Sequence, residues 1–203
     1  MRPKSVRAEP FDRLRTGPVE ACCEHALRQA QGERGRGQRV FLERVFAFPI
    51  RVYWEDTDAG GIVFYANYLK FFERARTEWL RSLGIEQRSL RETAGGIFVV
   101  GEASVRFHLA ARLDDELLVT AAVEETGRAS LIIAQQAFLP GGGPARAAGS
   151  GQSATMASSV VPAGSLANAG PLLCEGKIRI GWVEASTLKP ARIPATILEA
   201  LKK

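Results

Sequence analysis

The sequence predicts an α+β fold in which one long helix lies across an antiparallel sheet of about five strands. Three observations predict it: apolar and polar residues alternate from Ile50 to Trp54, a single period-3.6 stripe runs from Ala66 to Leu83, and four further strand-like segments follow. A strand, a helix and then a run of strands is the order expected of a strongly twisted sheet curled around one helix.

Each element has its own warrant. Ile50, Val52 and Trp54 share one face of the first strand, and Arg51 and Tyr53 share the other. In the helix, Tyr68, Phe72, Ala75, Trp79 and Leu83 recur at spacings of three or four and form one apolar stripe. Arg74 and Glu78 stand as an i,i+4 pair, and Gly84 is placed to end the helix. The second strand sets Ala103, Val105 and Phe107 against Glu102, Ser104 and Arg106. The third sets Leu117, Val119, Ala121 and Val123 against Thr120 and Glu124. Leu131 to Phe138 is apolar and β-branched around a Gln135-Gln136 break. Ile178, Ile180 and Trp182 alternate with Lys177 and Arg179, and Trp182 reads as core. Asp114-Asp115 and Gly127-Arg128 supply turns. Pro190 and Pro194 mark an extended stretch before a short helix from Ala195 to Leu201.

Two segments stand outside this pattern. Residues 1–44 mix Arg, Gly, Gln and Glu with few large apolar residues and read as a disordered basic extension. Residues 141–171 are almost entirely Gly, Ala, Ser and Pro, the composition of a flexible insert within a domain spanning 45–203. The extension also explains the charge. Residues 1–39 hold eight Arg and one Lys against five acids, so they carry +4 of the chain's +5. A solvated tail accounts for that excess, and the expected partners do not include nucleic acid.

Other classes are excluded by what the sequence lacks. No apolar run reaches the roughly 20 residues of a membrane span, so no integral membrane contact is expected. The Arg-studded N-terminus is no secretory signal, and the expected location is cytoplasmic. Cys22, Cys23 and Cys174 form no disulfide framework, and with only His25 and His108 the chain offers no metal site.

The chemistry concentrates between the first strand and the helix, in Tyr53-Trp54-Glu55-Asp56-Thr57-Asp58-Ala59-Gly60-Gly61-Ile62-Val63-Phe64-Tyr65-Ala66-Asn67-Tyr68. The plain reading of such acids is a solvated, self-capping turn. A calcium loop counted from Asp56 fails, because its twelfth position is Asn67 where a bidentate Glu belongs. A phosphate loop fails too, since no Gly-Lys-Ser/Thr follows the glycines.

The run RVYWEDTDAGGIVFYANYLKFFERARTEWL resembles the signature of hotdog-fold acyl-CoA thioesterases. It is most similar to the subfamily encoded with the Tol–Pal system, related to 4-hydroxybenzoyl-CoA thioesterase. ARLDD at 111–115, GRASLIIAQ at 127–135 and LKPARIP at 188–194 extend the resemblance over about two-thirds of the chain. It implies a hotdog fold, hydrolysis of an acyl-CoA thioester without a cofactor, and a homodimer or homotetramer. Acyl-carrier protein is a second carrier it admits. In the family the second Asp of the Glu-Asp-Thr-Asp run is the catalytic carboxylate, which implies Asp58. A backbone N–H at the start of the helix binds the oxyanion, which implies Tyr65. Many Tol–Pal-type members have His at that place, whereas the 4-hydroxybenzoyl-CoA branch has Tyr.

Physical chemistry supports the assignment. A thioester carbonyl is readily attacked, so the barrier depends on oxyanion stabilisation and delivery of a nucleophile. Free N–H groups at a helix N-terminus amount to about half a positive charge, and one such donor contributes about 10²–10³ in rate. Gly60 and Gly61 let the backbone turn tightly and approach the acyl group. Asp58 then attacks directly or activates water. Tyr53 is a candidate pocket wall with Phe64 and Tyr68, and Arg128 a candidate contact to CoA phosphate. Glu73, on the polar face of the helix, reads as a solvated charge. A dehydratase needs a His–acid pair that the sequence does not put near Asp58. A non-catalytic acyl-CoA or acyl-carrier-protein binding module is the alternative, against which the complete Glu-Asp-Thr-Asp-Ala-Gly-Gly run argues.

Overall fold

The computed structural model describes residues 44–140 and 158–202. The basic extension up to residue 43 and the insert from 141 to 157 lie outside the described residues. Among the described residues six strands form one antiparallel sheet: β1 Arg44–Arg51, β2 Gly96–Phe107, β3 Glu116–Thr126, β4 Ser130–Phe138, β5 Ser159–Pro162 and β6 Leu172–Glu184. Their spatial order is β2-β6-β4-β3-β1-β5. Among the described residues three α-helices accompany them: α1 Asn67–Ser82, α2 Gln87–Thr93 and α3 Ala195–Ala200.

The long helix is where the stripe put it. Tyr68, Phe72, Ala75 and Trp79 are all buried, together with Phe71 and Leu80. They pack on the inner sheet face, where Leu117, Val119, Ala121, Leu131, Ile133, Ile178, Ile180 and Trp182 point inward at period two. Gly84 ends α1 as expected. It takes φ +76°, and the next amide, Ile85 N–H, turns back to the Leu80 carbonyl at 2.9 Å. Burying five large side chains and Ala75 on one helix face explains why α1 forms here, since tertiary packing supplies most helical stability.

The structure corrects five expectations. The first strand ends at Arg51, so Trp54, expected on one face with Ile50 and Val52, stands in a 3-10 turn and is exposed. The sheet has six strands, because part of the stretch read as flexible forms β5 and pairs with β1 from Arg44↔Pro162 to Ala47↔Ser159. A 3-10 helix at Ala163–Asn168 follows it. The second strand begins at Gly96, well before Ala103, with a bulge between Val100 and Glu102. The seven-residue α2 was not anticipated. The expected Arg74–Glu78 pair does not form: Glu78 pairs with Arg81, and the Arg74 guanidinium lies 5.9 Å from the Phe71 ring centre. Among the described residues no helix is long and apolar enough to cross a membrane.

Candidate active site

The segment between β1 and α1 folds into a small knot built largely from backbone bonds. A 3-10 turn at Trp54–Asp56 comes first. Thr57 then bridges to Val63, the Asp58 N–H donates to the Ile62 carbonyl at 2.9 Å, and the Gly61 N–H donates to the Asp58 carbonyl at 3.0 Å. Gly61 sits at φ +72°, the left-handed conformation that closes this miniature hairpin and that glycine adopts at least cost. The Asp58 carboxylate caps its own turn, with Oδ1 accepting the Gly60 N–H at 2.7 Å. A Cβ at Gly60 would press against that oxygen at 3.0 Å. The Val63 N–H donates to the Ala111 carbonyl at 2.9 Å, which ties the hairpin to the segment before β3.

Asp58 is exposed in the single chain, and its other carboxylate oxygen makes no hydrogen bond among the described residues. Asp56 is its opposite. That side chain is fully buried, Oδ2 accepts the Tyr53 N–H at 3.0 Å, and Oδ1 is buried with no partner among the described residues. The Asp56 carbonyl accepts twice, from the Phe64 N–H at 2.9 Å and from Asn67 Nδ2 at 2.9 Å. Two acids two residues apart thus have separate roles, one structural and one facing outward.

The start of α1 is left electropositive. Its N-cap residue, Ala66, has no side chain able to bond the first amides, and no acidic residue stands in the first turn. The Tyr65 N–H has no acceptor among the described residues. The Tyr65 ring lies 4.5 Å from Phe64 and 6.3 Å from Phe107 at the end of β2, centre to centre. Phe107 is also 5.7 Å from Tyr68. Tyr68 itself is buried, its hydroxyl accepting the Ala111 N–H at 3.1 Å, and burial raises its pKa. The helix start and the end of β2 therefore meet through aromatic rings, with the Asp58 hairpin directly preceding them in the chain.

Of the residues singled out from sequence, Asp58, Gly61 and Tyr65 share this knot, with Tyr53 just before it. Tyr53 and Phe64 are exposed, whereas Tyr68 is core. Arg128 is not among them. It lies in the turn after β3, and β3 begins beside the end of β1. Its 11 residues carry Arg128 about 36 Å away along the strand, at ~3.3 Å per residue. Glu73 is exposed and accepts the Thr77 hydroxyl at 2.7 Å, as a solvated charge should. His108 does pair with an acid, Glu175, at 3.2 Å. Glu175 lies between the buried Cys174 and Gly176, so it faces outward from β6, away from α1. Asp56 and Asn67 were not singled out. The signal available for Asn67 was an Asn in the first helical turn, where its helix propensity is poor. Among the described residues no group of His, Cys, Asp and Glu is arranged to hold a metal.

Comparison with known proteins adds a second line. A family model described as the thioesterase superfamily matches residues 60–145. An acyl-CoA thioesterase YbgC of Haemophilus influenzae is 48% identical over 95 residues, covering 47% of this chain and 70% of that protein. An acyl-CoA thioester hydrolase YbgC of Escherichia coli O6:H1 is 42% identical over 92 residues, covering 45% and 68%. Among solved structures, Slr0204, a 1,4-dihydroxy-2-naphthoyl-CoA thioesterase from Synechocystis, superposes with a TM-score of 0.60. At 18% identity over 78% of this chain and 96% of that one, it shows the shared fold.

Proposed function

The chain belongs to the thioesterase superfamily and is an acyl-CoA thioester hydrolase, and from that premise we propose that Asp58 and the N-terminus of α1 perform its chemistry. The observation that carries the proposal is the hairpin from Thr57 to Val63. It holds a solvent-facing carboxylate at one end and leads within four residues to the uncapped start of α1 at the other.

In this mechanism the thioester carbonyl oxygen lies at the Tyr65 N–H. Charge developing on that oxygen is stabilised by an amide already fixed in place and by the positive end of the helix. Asp58 either attacks the carbonyl carbon to form a mixed anhydride that water then hydrolyses, or deprotonates the water that attacks; in both routes the C–S bond breaks and the CoA thiolate leaves to be protonated. Gly61 keeps side-chain bulk away from the acyl group. Tyr53, Phe64 and Tyr65 supply apolar surface around it, and Tyr68 packs beneath them. Because Arg128 stands at the far end of β3, any contact it makes to CoA phosphate requires a second copy of the chain. The long motif from Arg51 to Leu80 further supports kinship with the Tol–Pal-associated subfamily and the 4-hydroxybenzoyl-CoA branch.

The test is direct. Asp58→Asn retains the turn-capping oxygen for Gly60 but removes the carboxylate. Hydrolysis of acyl-CoA, followed by thiol release, is expected to fall at least about 100-fold on general acid–base magnitudes, with the fold intact. Unchanged turnover would rule Asp58 out.

A further inference from the structure

Resting on that reading of Asp58 and Tyr65, we propose that Asn67 is a positioning residue, whose side chain sets the distance between the carboxylate and the oxyanion-binding amide. Its placement carries the argument. Asn67 is the first residue of α1 and only 5% exposed. Its Nδ2 donates to the Asp56 carbonyl at 2.9 Å, across eleven positions of chain. Asp58 lies two residues after one end of that bond, and Tyr65 lies two residues before the other. The bond therefore closes a ring whose contents are the two halves of the proposed site.

The surrounding bonds stiffen this ring. The Asp56 carbonyl that receives Asn67 also receives the Phe64 N–H, and the Asn67 N–H returns to the Phe64 carbonyl at 2.8 Å. Asp56 is held from its other side by the Tyr53 N–H on Oδ2. Tyr65 thus sits between two anchored residues, Phe64 and Asn67, while its own amide stays open.

Asparagine is otherwise a poor choice here. It does not cap α1, since the N-cap is Ala66 and no side-chain cap bond exists. It is a weak helix former, and a buried amide costs stability unless it is bonded. Its cross-loop bond is the one contribution that an apolar residue of similar size lacks. Proximity effects are steep, such that a misplacement of about 1 Å can cost roughly 10²-fold in rate.

Asn67→Ala is therefore expected to lower kcat by about 10–100-fold with KM within about threefold. Steady-state thiol release is compared for the wild type, Asn67→Ala, Asp58→Asn and the double variant, each verified as folded by its melting curve. In the double variant the Asn67 substitution should add no further loss, because it acts through a carboxylate already removed. Ile193→Ala, buried and bonded through its N–H to the Arg128 carbonyl, serves as a control of lowered stability whose kcat holds. Should the alanine variant not fold, Asn67→Gln moves the same amide out by one methylene and is expected to show the same fall. A folded variant with kcat within twofold of wild type, or single losses that multiply in the double variant, overturns the positioning role alone. Wild-type turnover in Asp58→Asn overturns the catalytic reading and this inference with it.

Discussion

Tyr65 presents its ring to solvent, 63% exposed, and its hydroxyl makes no hydrogen bond among the described residues. What the proposed mechanism takes from this residue is its backbone N–H, which any amino acid but proline supplies. Side chain and backbone can thus be separated by two substitutions. Tyr65→Phe keeps the amide and the aromatic contacts with Phe64 and Phe107, and turnover is expected to stay within about threefold. Tyr65→Pro deletes the donor one residue ahead of the N-cap Ala66, so no hydrogen bond within α1 is lost. It is expected to lower kcat by about 10²–10³, the loss of one oxyanion donor. Equal activity in the two variants would remove Tyr65 from the mechanism. The same separation explains why His and Tyr can alternate at this place among the families the motif resembles.

Among the elements, α1 and the inner sheet face make a dry core whose ionisable groups respond to pH. Cys174 on β6 has no exposed surface, and burial pushes its thiol from 9.0 up to about 12. The folded chain thus keeps a proton that the unfolded chain releases above about pH 9. Stability contributed by the neutral thiol is present below that pH and falls as pH rises toward 12. The urea midpoint is expected to drop between pH 8 and pH 10, and to drop less in Cys174→Ala. Identical drops in both proteins would show that other groups control the alkaline limb. Elements of this core were legible because large residues carry their periodicity: Phe72 and Trp79 on α1, and Ile178 and Trp182 on β6, announce one face each. β5 was not legible. Its Ser-Val-Val-Pro is too short to show a period, and its partner β1 lies more than 100 residues away in sequence. The site divides in the same way. Asp58, Gly61 and Tyr65 stand in one motif, whereas Asp56 and Asn67 act through backbone groups. Bonds to backbone leave no paired residue types for a sequence to display.

For the molecule as a whole, the decisive feature is the unequal treatment of the two sheet edges. β5 closes one side with four residues ending in Pro162, a short edge that discourages further pairing. β2 closes the other with 12 residues bonded, among the described residues, to β6 alone, and Val99, Val100 and Phe107 are exposed along it. A long apolar edge of this kind recruits another strand, and two identical edges related by a twofold axis satisfy each other. Phe107 at its end also touches the ring of Tyr65, so the proposed dimer would cover the site's open side and exclude water from the reacting carbonyl. Light scattering of the full chain is therefore expected to give about twice or four times 22.0 kDa. Lysines at the edge, as in Val99→Lys with Val100→Lys, oppose strand addition. They should shift the mass toward 22.0 kDa and lower acyl-CoA hydrolysis together, although neither residue belongs to the Asp58 hairpin. A wild-type chain that is both monomeric and fully active would break this link, because the site would then need nothing beyond its own β2 edge.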